Sequence, residues 1–181
     1  MWFATGGTFR NGKGVSRYNG DTFTSFGVAD GLADNDVLSI YQDRIGDMWF
    51  TTVEGGVSRY DGDTLTTYTT VDGLAHNHVR AVNQDRDGTF WFGTNGGLTR
   101  YEGNTWATFT TADGLQSRAV DKLYRDRDDN LWLGTWGGGV TKFSDGVFKN
   151  FTKKNGLADN QVRDIVEDRD HNLWIPPMGV V

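Results

Sequence analysis

Residues 71–103 read VDGLAHNHVRAVNQDRDGTFWFGTNGGLTRYEG, and the chain says nearly the same thing three more times. Aligned on tryptophan, Trp49, Trp91, Trp132 and Trp174 stand 42, 41 and 42 residues apart. Leu32, Leu74, Leu115 and Leu157, each following a glycine, keep the same 42, 41 and 42 spacing. A strict period near 42 marks a repeat architecture. Periods of about 40–50 with strand-like content are those of propeller blades.

Each unit offers four short candidate strands. The first is VLSIYQD, VRAVNQD, AVDKLYRD or VRDIVED, and the second DMWFTT, TFWFGT or NLWLGT. The third is GVSRY, GLTRY or GVTKF, and the fourth TLTTYT, TWATFT or VFKNFT. All are β-branched or aromatic and bounded by Gly, Asp or Asn. No stretch keeps a 3.6-residue apolar period, so helices are expected to be scarce. The reading is all-β: a β-propeller of four-stranded blades. In DRDG, the acidic residues and Gly88 suit a hairpin turn between strands one and two. In DGL, Asp72 is expected to form an Asx-turn, Gly73 to take the bend and Leu74 to enter the core between blades. The four repeated tryptophans should share one buried packing role, because each sheet must cover a face with its neighbour.

Composition agrees. The chain has 181 residues, 25 of them Gly and only two Pro, with 13% aromatics. A net charge of −6 without a basic block argues against nucleic acid, whose affinity rests on clustered Lys and Arg. There is no Cys, which excludes disulfides and thiolate chemistry. No apolar run reaches the ~20 residues of a membrane span, and MWFATGGTFRNG has no signal-peptide pattern.

The run TTxDGLxxNxVxxIxxDRxGxxWFGTxGGGVxRYDG resembles the two-component regulator propeller repeat over essentially the whole chain. The resemblance implies a sensor domain of a hybrid two-component system, with extracytoplasmic, usually seven-bladed propellers that bind carbohydrate fragments. A kinase beyond a membrane span would receive the signal. Neither part is in this sequence.

Trp2-Phe3-Ala4-Thr5 aligns with Trp49-Phe50-Thr51-Thr52, so the first blade opens at its second strand. The expected division is a partial blade over 1–26, blades over 27–69, 70–110 and 111–151, a partial blade over 152–175 and a tail over 176–181. That makes about four blades, three complete and two partial. Pro176 and Pro177 cannot extend a paired strand. Three arrangements are open: a fragment of a larger propeller, a small closed ring in which the last first strand completes the first blade, or completion by a second copy.

A ligand site is expected where copies differ on one rim, which the loops after strands two and four share. After strand two the variable residues are Glu54, Asn95 and Trp136; after strand four they include His76, His78 and Arg118. Asp34–Asp36, Asn77, Ser117, Ala119 and Asp159–Gln161 vary there too, and the first blade adds Arg10, Asn11 and Lys13. Trp136 departs most: the matching exits carry Gly6, Val53 and Asn95. An indole beside polar groups suits a sugar, the ring stacking and the polar groups bonding hydroxyls. The expected ligand-binding set is therefore Trp136, Glu54, Asn95, His76, His78 and Arg118.

Other motifs fall short. His76-x-His78 gives two of the three or four ligands zinc needs. Asp85, Asp87 and Gly88 echo a calcium loop without its later acidic ligand. Gly7 to Lys13 matches most of a phosphate loop, but Gly14 stands where Ser or Thr is required and a strand follows. No catalytic constellation, metal or cofactor is expected. The leading class is a non-enzymatic sensor module for an oligosaccharide or small polar ligand, working with the rest of a larger sensor chain or a second copy. The alternatives are a lyase or hydrolase on the same scaffold, or a structural scaffold.

Overall fold

The computed structural model describes residues 1–5 and 12–176. The phosphate-loop match and the variable residues Gly6, Arg10 and Asn11 lie wholly or largely outside them, as does the tail beyond Pro176. Among the described residues seventeen antiparallel strands form five sheets, each following chain order. The first holds β1 (Trp2–Thr5), β2 (Gly14–Tyr18) and β3 (Phe23–Phe26). Three four-stranded sheets follow. They are β4 (Val37–Gln42), β5 (Met48–Thr52), β6 (Val57–Tyr60) and β7 (Leu65–Tyr68); then β8 (Val79–Gln84), β9 (Phe90–Thr94), β10 (Gly97–Glu102) and β11 (Thr105–Phe109). The third is β12 (Val120–Arg125), β13 (Leu131–Thr135), β14 (Gly139–Ser144) and β15 (Val147–Phe151). A pair, β16 (Val166–Glu167) and β17 (Leu173–Trp174), completes the array. The protein is an all-β propeller array. Among the described residues β16 pairs with β17 and β1 with β2, so β16 does not add a strand to the first sheet.

Blades stack through the repeated tryptophan. Trp49 lies 4.4 Å from the ring of Phe90 and 5.7 Å from that of Phe92, both in the next blade. Trp91 meets Phe143 of the following blade at 5.1 Å. Each indole is also held within its own blade. The first Asp of the DRxG turn accepts the indole N–H, at 2.9 Å for Asp43–Trp49, 3.0 Å for Asp85–Trp91 and 2.7 Å for both Asp126–Trp132 and Asp168–Trp174. The cation facing the indole across strands two and three lies over the ring: Arg59 at 5.9 Å from Trp49, Arg100 at 6.0 Å from Trp91 and Lys142 at 5.5 Å from Trp132. The spaced Asp, Trp and Arg of the repeat are thus one interaction. One expectation fails. Trp49 and Trp91 are 1% and 4% exposed, but Trp132 is half-buried and Trp174 is 63% exposed. The reason is local: only a strand pair with Leu173 and Ile175 packs beyond Trp132, and no blade follows Trp174 among the described residues.

The turns explain the rest of the repeat. Gly88 takes φ 99°, and Asp129 and His171 occupy the matching position at φ 68° and 66°, so this turn needs a left-handed residue but not a glycine. The DGL aspartate does not form the expected Asx-turn. Asp72 accepts the backbone N–H of Thr69 at 2.8 Å, and Asp113 does the same for Thr110 at 2.8 Å, the reciprocal capping of a single helical turn. Leu32, Leu74 and Leu115 are then delivered into the core as expected. On the rim opposite the candidate loops, Arg44 reaches the carbonyl of Arg86, Arg86 that of Arg127 at 2.7 Å, and Arg127 that of Arg169 at 3.4 Å.

Turn carboxylates also set an acid limit. Backbone and side-chain donors at Thr64 and Asp63 hold Asp61 down from 3.8 to about 2. The Trp174 indole and Asn172 hold Asp168 at about 2 as well. A carboxyl held below its unfolded value stabilises the fold above that value, and loses this stabilisation as pH falls toward the folded one. Stability is therefore expected to fall between about pH 4 and pH 2. Asp61→Asn should make the pH dependence of the urea midpoint shallower there, and an unchanged slope would contradict the assignment.

Candidate functional site

The loop after strand two and the loop before strand one meet on one rim, joined by the same bond in each blade. Val53, Asn95 and Trp136 donate their backbone N–H to the carbonyls of Asp36, His78 and Ala119 at 3.1, 3.1 and 2.9 Å. Trp136 thus corresponds to Val53, and Glu54 sits one position further on. Trp136 is 43% exposed, as its glycine-rich surroundings suggest. Glu54, His76 and Arg118 are exposed and His78 is half-buried.

Much of the variation among the rim loops is structural. The Nδ1 of His76 accepts the N–H of His78 at 2.8 Å. Asp34, Ser117 and Asp159 do the same for the residue two further on, at 3.1, 3.2 and 2.9 Å. Asp, His and Ser are interchangeable acceptors here, which is why the position varies without a change of role. Asn35, Asn77 and Asn160 each accept a backbone N–H seven residues back, at 3.1, 2.8 and 2.8 Å. These asparagines lock the loop.

The residues that converge are ones the repeat conceals. In each complete blade the first strand carries a bulge after its first residue, at Leu38, Arg80 and Asp121. Arg163 follows at the same repeat spacing of 42. A bulge re-aims its side chain out of the alternation of the strand. All four line one cavity of about 240 Å³. Arg80 Nε donates to Asn95 Oδ1 at 3.0 Å and lies 3.1 Å from Asp121 Oδ1. Its single hydrogen goes to Asn95, so Asp121 receives charge without an aligned hydrogen bond. Asp121, with a side chain 7% exposed, is pushed up by burial and pulled back by Arg80 and Arg163. The Arg163 guanidinium sits 4.9 Å from the centre of the Trp136 ring. Two of the expected residues, Asn95 and Trp136, are therefore second partners of a charged cluster. Glu54, His76, His78 and Arg118 occupy the same rim without lining the cavity. The signal that could have found the cluster is the shift from Leu to Arg to Asp to Arg at one register position inside an apolar strand.

His171, the third histidine, lies on the opposite rim with its Nδ1 3.0 Å from Glu167 Oε1. Among the described residues no group of three His, Asp or Glu side chains is placed to hold a metal ion. No helix among the described residues is long and apolar enough to cross a membrane.

The sequence profile of the two-component regulator propeller family matches residues 31–54, 73–96, 114–137 and 156–175, together about half of the chain. The chain belongs to that family. Among solved structures it is similar to the extracellular domain assigned to a hybrid two-component system of B. thetaiotaomicron. That match has a TM-score of 0.78 and 29% identity, over 91% of this chain and 24% of that one. A second extracellular domain from that organism, assigned to a one-component system, matches with a TM-score of 0.74 and 21% identity, over 90% and 23%. Virginiamycin B lyase from Staphylococcus aureus shares the fold, with a TM-score of 0.72 and 15% identity over 95% and 61%. No curated protein matches the chain in sequence. The chain spans about a quarter of the length of the sensor domains it resembles.

Proposed function

We propose that this chain is a non-enzymatic ligand-sensing part of a two-component sensor, working outside the cytoplasm and recognising a carbohydrate or similar polar ligand on the bulge-side rim. The observation that carries this reading is Trp136, an indole 43% exposed that lies against Arg163, which shares a cavity with Arg80. Sugars pair an apolar ring face with hydroxyls, and an indole next to fixed hydrogen-bonding groups answers both. The extracellular assignment of the 29%-identical domain supports the location.

Calorimetric titration with neutral and acidic trisaccharides tests this. Trp136→Ala should abolish binding of whichever trisaccharide the native protein takes, while the melting temperature stays nearly unchanged, since surface substitutions typically cost no more than about 0.5 kcal/mol. A large stability loss with binding intact would make Trp136 a packing residue and remove the site.

A further inference from the structure

We propose that the ligand of this rim is acidic, a saccharide carrying a carboxylate, and that Arg80 and Arg163 take the carboxylate at the mouth of the cavity they share with Leu38 and Asp121. The proposal rests on the sugar-binding reading above and adds its charge. Two guanidinium groups and one carboxylate line the cavity with Leu38, leaving a net positive charge there in a chain whose total is −6. Asp121 already stands beside Arg80 and is buried, so it is spoken for. Among the described residues neither the Nη atoms of Arg80 nor the guanidinium of Arg163 has a hydrogen-bond acceptor. Arg80 is fixed through Nε by Asn95, and Arg163 rests against the Trp136 ring. Both forks are thus held in place with their terminal donors available, the arrangement that binds a planar carboxylate by two parallel bonds. The cavity, at about 240 Å³, lies below the range of about 300–1,000 Å³ for drug-sized sites, so it takes a single ring at a time. The stacking surface of Trp136 adjoins it through Arg163, which places ring recognition and charge recognition side by side.

Most acidic rim residues are on other blades; Asp159, in the loop before Arg163, is engaged by the N–H of Gln161 at 2.9 Å. Asp34, Asp36 and Glu54 belong to the loops around β4 and β5, where the bulge residue is the uncharged Leu38. Asp164, next to Arg163, pairs with Lys122 at 2.7 Å. The positive charge is therefore local to the last two complete blades and the segment that follows.

Binding of trigalacturonate and of maltotriose to the whole chain, measured by calorimetry at low and moderate salt, tests the inference. Trigalacturonate should bind at least about tenfold more tightly, and the preference should shrink as salt is raised. Arg163→Gln should remove the preference, bringing the affinity for trigalacturonate to within about twofold of that for maltotriose, with the melting temperature as it was. Arg80→Gln strands buried Asp121, so its partner variant Arg80→Gln/Asp121→Asn is the one to read, and it should also lose the preference. Equal affinity for the two trisaccharides in the native protein, or a preference that survives Arg163→Gln, overturns the acidic assignment and leaves the sugar reading standing. Failure of both to bind overturns the sugar reading, and this one with it.

Discussion

Trp49→Ala is expected to destabilise the fold by about 3–5 kcal/mol, the range for removing a large aromatic from a packed core. Trp49 is 1% exposed and wedged between Tyr68 of its own blade and Phe90, Phe92 and Tyr101 of the next. The loss has two parts. A cavity opens between blades that otherwise meet at that level through Tyr68 against Tyr101 and Trp106. Asp43, itself buried, also loses the indole N–H that it accepts at 2.9 Å. At 181 residues the shift in melting temperature should be about 10 °C. Trp174→Ala removes the same residue at the same repeat position, but the indole there is 63% exposed, and the expected change is under about 1 kcal/mol. Equal losses at the two positions would show that the indole–aspartate bond, not the contact between blades, carries the energy.

Gly97→Ala is expected to be about as damaging, on the order of 3 kcal/mol or more, for a different reason. Gly97 opens β10 at φ 137°, and an added Cβ would stand 2.2 Å from the carbonyl oxygen of Phe109. That oxygen is backbone in the neighbouring strand β11, so it cannot retreat without disturbing the pairing of Leu98 with Phe109. Conformational strain and collision add. Gly88→Asn is the matched control: φ is 99°, no backbone atom would crowd the new side chain, and Asp129 and His171 already adopt that conformation in the other copies. Thermal unfolding should show a large drop for the first variant and a change within about 1 kcal/mol for the second. A harmless Gly97→Ala would mean that β10 and β11 are not held in this register.

What the sequence reveals and what it hides follow one rule. The repeat exposes whatever every blade needs, so the strands, the repeated tryptophans, the buried DGL leucines and the propeller family were legible from residues alone, whereas the first Asp of DRxG, which bonds each indole, reads only as part of a turn. It hides effects that depend on a missing neighbour. Trp174 reads like Trp49, and nothing in its own segment says that no ring among the described residues covers it. The candidate site was half legible for the reverse reason. Searching the loops for departures found Trp136 and Asn95, but variation there also includes changes without consequence, such as Asp, His and Ser exchanging one turn acceptor at 34, 76, 117 and 159. Arg80, Asp121 and Arg163 were concealed because alternation along a strand assigns each residue to a sheet face, and only a bulge lifts one out. A Leu-Arg-Asp-Arg series in a strand register is visible in the sequence, but its convergence on one cavity is a property of the three-dimensional array.

The arginine contacts on the far rim give the array a direction. Each of Arg44, Arg86 and Arg127 donates to the carbonyl of its counterpart one blade further along, never one blade back. Because donor and acceptor belong to the same repeat position, excising one whole unit brings each remaining arginine to a carbonyl identical to the one it left. Duplicating a unit does the same. Tandem gain or loss of about 42 residues, by unequal recombination within the gene, would therefore yield chains whose joints are already complementary. Blade number is then free to drift on evolutionary timescales while the chemistry of each joint stays fixed, and sites such as the Arg80–Asp121–Arg163 cluster can arise by point substitution on a frame that does not have to be redesigned.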